Sequence, residues 1–87
     1  MEIQYFAAWL KLQLQQRKLS YRKFETKTGV SRANLSRWHA GTEPNIKGIK
    51  QLAEAFASLD YENNEIELMQ VNARYEYYVL LIFSKVS

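Results

Sequence analysis

The sequence predicts an all-α domain of four to five helices, and three observations carry that prediction. Apolar residues recur at three- and four-residue intervals along most of the chain. Glycine, proline and small polar residues gather between those runs, at Ser20, at Gly29 to Ser31 and over residues 41–45. The length, 87 residues with 47% hydrophobic content, suits one modest core and argues against disorder.

Residues 3–17 place Ile3, Phe6, Leu10 and Leu14 at helical spacing with Trp9 beside them, and no glycine or proline interrupts. That predicts the first helix. Ser20 suits a helix cap, so a second helix is expected over about residues 21–28. Gly29 follows where a chain leaving a helix needs a positive φ, which glycine reaches without a Cβ clash. Ser31 can cap a third helix over about residues 32–40, ended by Gly41, and residues 42–45 form a loop holding the only proline. Ile46, Ile49, Leu52, Ala53 and Phe56 predict a fourth helix over about residues 46–59. Gly48 lies inside it at a cost of about 1 kcal/mol relative to alanine, so an irregular first turn is expected.

Residues 60–64 (DYENN) read as a polar break. They divide the chain into a main domain, residues 1–59, and a C-terminal extension, residues 60–87. In the extension Leu68, Val71, Tyr75, Tyr78, Val79, Ile82 and Val86 fit one helical stripe, while residues 75–83 (YEYYVLLIF) are also rich in strand formers. The longer window favours a helix over a strand.

Charge is unevenly spread. Residues 1–58 carry ten Lys/Arg against four Asp/Glu, +6, and residues 59–87 carry two against five, −3. From Arg17 to Arg37 there are seven basic residues and one acidic, Glu25. A basic face on a small domain is the electrostatic footprint of a polyanion partner. It coincides here with two short helices joined by a tight turn, a helix-turn-helix pattern. Packing of Leu35 and Trp38 leaves Arg32, Ala33, Ser36 and Arg37 on the opposite face of the third helix. A solvent-facing helix with two arginines and small neighbours suits a DNA major groove.

The wider pattern is Phe24, Gly29-Val30-Ser31, Leu35-Ser36-Arg37-Trp38, Gly41, Pro44 and Leu52-Ala53-Glu54-Ala55-Phe56. By it the chain resembles the lambda-repressor-like helix-turn-helix family, which includes phage repressors, Cro proteins and small bacterial regulators. With the first helix, the resemblance covers about residues 3–58. It implies a compact helical domain that binds double-stranded DNA, with the helix at residues 31–40 in the major groove. Arg32, Ala33, Ser36 and Arg37 match base-facing positions. An arginine can offer two donors to guanine, Ala33 can meet a thymine methyl, and Ser36 can donate or accept. Tyr21 matches a position that touches phosphate in the family, and Arg22, Lys23, Ser31, Asn45 and Lys47 surround the same edge. Glu25 departs from the pattern, standing where the family usually has a small alanine. Its stem is expected to lie across the helix junction with the carboxylate turned outward.

Trp9, Phe24, Leu35, Trp38 and Phe56 read as core rather than as a platform for stacked bases. The chain has no cysteine and a single histidine, His39, so no metal site is expected, and no cofactor either. No nucleophile–base pair emerges, and no enzymatic activity is expected. The apolar run at residues 79–83 is far shorter than the ~20 residues of a membrane span. Nothing basic-then-apolar precedes the first helix, so a cytoplasmic location is the expectation.

A four-helix domain of this kind has little core to spare for the extension. Tyr75, Tyr78, Val79, Ile82, Phe83 and Val86 are therefore expected to form a dimerisation surface. A chain ending at Leu59 is then expected to stay folded and become monomeric. The reading that follows is a dimeric repressor on a palindromic operator. The alternative is a protein–protein adaptor, antitoxin or anti-repressor that keeps the fold without reading DNA.

Overall fold

Five helices follow one another in the computed structural model, which describes residues 5–86: α1 Tyr5–Gln16, α2 Tyr21–Thr28, α3 Arg32–His39, α4 Ile46–Glu62 and α5 Val71–Lys85. A 3-10 turn, Leu68–Gln70, leads into α5, and no strand occurs among the described residues. Ile3, placed in the first helix by its spacing, lies outside the described residues.

Side-chain caps set the starts of α2, α3 and α4. Ser20 Oγ accepts from the Lys23 amide at 3.2 Å, Ser31 Oγ from the Asn34 amide at 3.1 Å, and Asn45 Oδ1 from the Gly48 amide at 2.8 Å. The Asn45 cap makes the first turn of α4 regular, contrary to the irregularity expected from Gly48. The glycine serves packing instead. A Cβ there would lie 3.1 Å from Pro44 Cβ and 3.1 Å from Trp38 Cζ2, so a side chain at this position would crowd the α3 tryptophan against α4.

The core converges on Phe56, which is fully buried in α4. Its ring lies 5.5 Å from Trp9 of α1, 5.4 Å from Phe24 of α2 and 5.5 Å from Tyr78 of α5, in the tilted and edge-on arrangements that aromatic quadrupoles favour. The Arg17 guanidinium covers the same ring at 4.7 Å from its centroid. Leu10, Leu35, Leu52 and Val30 complete the interior.

The C-terminal extension is helical, as its longer period predicts, but it packs differently from the expectation. α4 runs on through the supposed break to Glu62, and α5 folds back against it. Tyr78 and Ile82, expected at a dimer surface, are 5% and 0% exposed in this chain's own core. Tyr75, Val79 and Val86 are partly buried against that core, and of the six only Phe83 is exposed. Four helices leave one side of α4 open, and α5 covers it. Leu68, counted in the helical stripe, sits exposed in the 3-10 turn, and Ile66 is buried in its place.

Asp60, read as part of a polar break, is 1% exposed. It accepts from Arg17 at 3.2 Å, from Arg74 at 2.9 Å and from the Tyr78 hydroxyl at 2.6 Å. Arg17 also donates to the Tyr78 hydroxyl at 2.9 Å and to Gln13 Oε1 at 2.7 Å. One carboxylate thus ties the turn after α1 to α4 and α5, with the hydrogen bonds a buried charge requires.

Candidate nucleic-acid interface

The turn between α2 and α3 fixes where α3 points. Gly29 takes φ +82° and its amide donates to the Glu25 carbonyl at 2.8 Å, closing α2 in the left-handed conformation that glycine adopts freely. Thr28 Oγ1 donates to the Phe24 carbonyl at 2.7 Å and accepts from the Val30 amide at 3.2 Å. Val30, Leu35 and Trp38 are then driven into the core, and Trp38 meets Phe6 of α1 edge-on at 6.2 Å. With that face of α3 occupied, the opposite face is left to solvent.

Arg32, Ala33, Ser36 and Arg37 are all exposed along that face. The structure brings them together as the periodicity predicts. Neither arginine is a loose charge, however. Arg32 Nε lies 2.9 Å from Glu25 Oε1 in an ion pair, and Arg37 Nη2 donates to Asn34 Oδ1. The Glu25 carboxylate does turn outward across the helix junction, and its second oxygen accepts from the Arg32 amide at 3.3 Å. It therefore caps α3 from outside, beside Ser31.

The residues expected on phosphates divide into three kinds. Arg22, Lys23 and Lys47 are exposed cations. Ser31 and Asn45 use their side-chain oxygens as caps, which leaves the Ser31 hydroxyl proton and the Asn45 amide hydrogens free to donate. Tyr21 is half-buried, with its ring 4.9 Å from the ring of His39, so it packs on α3. Burial, with Lys11 nearby, holds the His39 imidazole below the ordinary value of 6.5, and its Nε2 is buried without a hydrogen-bond partner.

A groove between α3 and the start of α4 is lined by Asn34, Arg37, Thr42, Asn45, Lys47 and Gln51. Asn34 and Gln51 were not assigned a role from the sequence. Asn34 has a cue in its three-residue separation from Arg37, and Gln51 in its place one turn beyond Lys47. Near the far end of the chain, Tyr77, Leu80 and Phe83 are exposed on α5.

No helix among the described residues is long and apolar enough to cross a membrane. A family model described as helix-turn-helix matches residues 10–61, from within α1 almost to the end of α4. Neither the curated proteins nor the solved structures compared with the chain gave a match.

Proposed function

This chain belongs to the lambda-repressor-like family of helix-turn-helix DNA-binding regulators, and from that premise we propose that it is a sequence-specific repressor acting as a homodimer on a palindromic operator. The observation that carries the reading is the exposed face of α3, where Arg32, Ala33, Ser36 and Arg37 stand with no large apolar side chain among them. Such a face has little use in a dry protein contact and matches the donor and methyl pattern of a major groove. Arg22, Lys23, Lys47 and the donors left on Ser31 and Asn45 contact phosphates and set the register. Occlusion is the mechanism: α3 lies in the groove, and the bound dimer blocks polymerase at an overlapping promoter.

Dimerisation follows from arithmetic. One short helix reads few base pairs, so a monomer binds weakly at physiological salt. Two copies on half-sites ~34–36 Å apart gain affinity and specificity from both. The surface for it is the outer face of α5, with Tyr77, Leu80 and Phe83, since Tyr78 and Ile82 are committed to the core. That same apolar face is the one observation that suits an adaptor, antitoxin or anti-repressor.

Selection of binding sites from random duplex DNA, followed by mobility shifts, tests the reading. Arg32→Ala and Arg37→Ala are each expected to cost about 1–3 kcal/mol on the selected duplex and to relax preference at one base pair per half-site. Equal losses on selected and scrambled DNA would make both arginines phosphate clamps. No enriched sequence at all would favour the adaptor.

A further inference from the structure

Glu25 stands on the DNA-facing edge of a domain proposed to bind a polyanion, where a carboxylate repels phosphate whatever the sequence. Its ion pair with Arg32 does not explain it by stability, because side chains 38% and 53% exposed form a pair that contributes little. What the pair does is geometric. One carboxylate holds a single residue at two points, Oε2 on the Arg32 backbone amide at 3.3 Å and Oε1 on its Nε at 2.9 Å. The attachment crosses from α2 to α3, so it ties the side chain of the first residue of α3 to a separate helix. That site favours a carboxylate, since the N-terminus of a helix carries partial positive charge.

The choice of nitrogen matters. A guanidinium whose Nε faces the carboxylate in the ion pair still presents both Nη groups at its far end, and a paired set of donors is what guanine O6 and N7 accept. Arg37 differs, because its contact with Asn34 engages one N–H of an Nη nitrogen, at the end of the guanidinium that a guanine meets. Arg32 is thus the arginine with both Nη groups uncommitted, and Arg37 the one with an Nη hydrogen already on a neighbour.

We infer that Glu25 is a positioning residue that sets specificity. It orients Arg32 for a guanine in each half-site while lowering affinity for all other DNA. The inference rests on the reading of Arg32 as a base-contacting residue.

The test uses the full chain, a pool of short random duplexes to define the selected site, and a scrambled duplex of equal length. Glu25→Ala is expected to lower the ratio of selected to scrambled affinity by roughly tenfold, with the lost preference confined to the base pair that Arg32→Ala also relaxes. Binding to the scrambled duplex is expected to rise, since a negative charge has gone. Glu25→Gln keeps an acceptor without the charge and falls between wild type and Glu25→Ala. In an Arg32→Ala background, Glu25→Ala is expected to leave base preference unchanged. If Glu25→Ala weakens both duplexes alike, or leaves the ratio intact while Arg32→Ala lowers it, the inference is overturned and the base-reading assignment stands. If Arg32→Ala itself leaves every base preference intact, both fall.

Discussion

Tyr78 donates its hydroxyl proton to Asp60 Oδ2 at 2.6 Å, joining α5 to the end of α4 at a carboxylate that is 1% exposed. Arg17 donates to both partners of that bond. The arrangement concentrates much of the domain's polar energetics in one place, and variants there separate its parts.

Asp60→Ala leaves Arg17 and Arg74 facing each other without their shared anion. Breaking a buried pair in this way costs about 3–5 kcal/mol, a large part of what an 87-residue domain has. Tyr78→Phe, which loses one hydroxyl, is expected to cost about 1–3 kcal/mol. Glu62→Ala breaks the exposed 3.1 Å pair with Lys27 and is expected to change stability by under about 1 kcal/mol. Urea titrations of the three variants check this order.

Burial, reinforced by the Asp60 hydrogen bond, pushes the Tyr78 hydroxyl up from an ordinary 10.0 to about 12. The folded state therefore holds this proton more tightly than the unfolded chain does. The associated stability is fully present below pH 10 and is lost as pH rises toward 12. Stability curves of wild type and Tyr78→Phe are expected to converge over that window. His39 has the opposite sign. Its lowered value means stability present above pH 6.5 and lost as pH falls, an acid-side loss that His39→Gln is expected to reduce. Parallel curves for wild type and variant would refute either assignment.

Removing residues 60–87 is expected to unfold the domain rather than to yield a folded monomer. Tyr78 and Ile82 are each worth about 1.5–3 kcal/mol of burial, and Phe56 loses its cover on that side. Leu80→Glu tests the dimer without that damage, because Leu80 is 71% exposed. Sedimentation is expected to show a dimeric wild type and a folded, monomeric variant. A wild type that is monomeric at micromolar concentration removes the dimer from the reading.

Lys23 is exposed on α2 rather than on the recognition face of α3, which marks it for phosphate rather than base. Lys23→Ala is expected to weaken selected and scrambled duplexes alike and to flatten the salt dependence of binding by about one unit. A loss confined to the selected duplex would move Lys23 among the base readers.

Much of this molecule was legible as local pattern. The caps Ser20 and Ser31 and the left-handed Gly29 act over a few residues, so their types announce the boundaries of α2 and α3. The apolar spacing of Leu35 and Trp38 decides which face of α3 is inward, and hence that Arg32, Ala33, Ser36 and Arg37 face out. The basic character of the segment is likewise a property of composition. These conclusions need no knowledge of distant partners.

What only the tertiary structure decided depends on residues far apart in the chain. Asp60 looks like an ordinary break residue until Arg17, 43 positions away, and Tyr78 converge on it. Gly48 looks like a weak point in a helix until Trp38 is brought against it. The stripe of α5 was visible in sequence, but a helical period states only that one face is buried, not against what. The core of this chain and a second copy offer the same apolar solvent. The choice between them for Tyr78 and Ile82 was made by the open side of α4, which exists only once the other helices have packed.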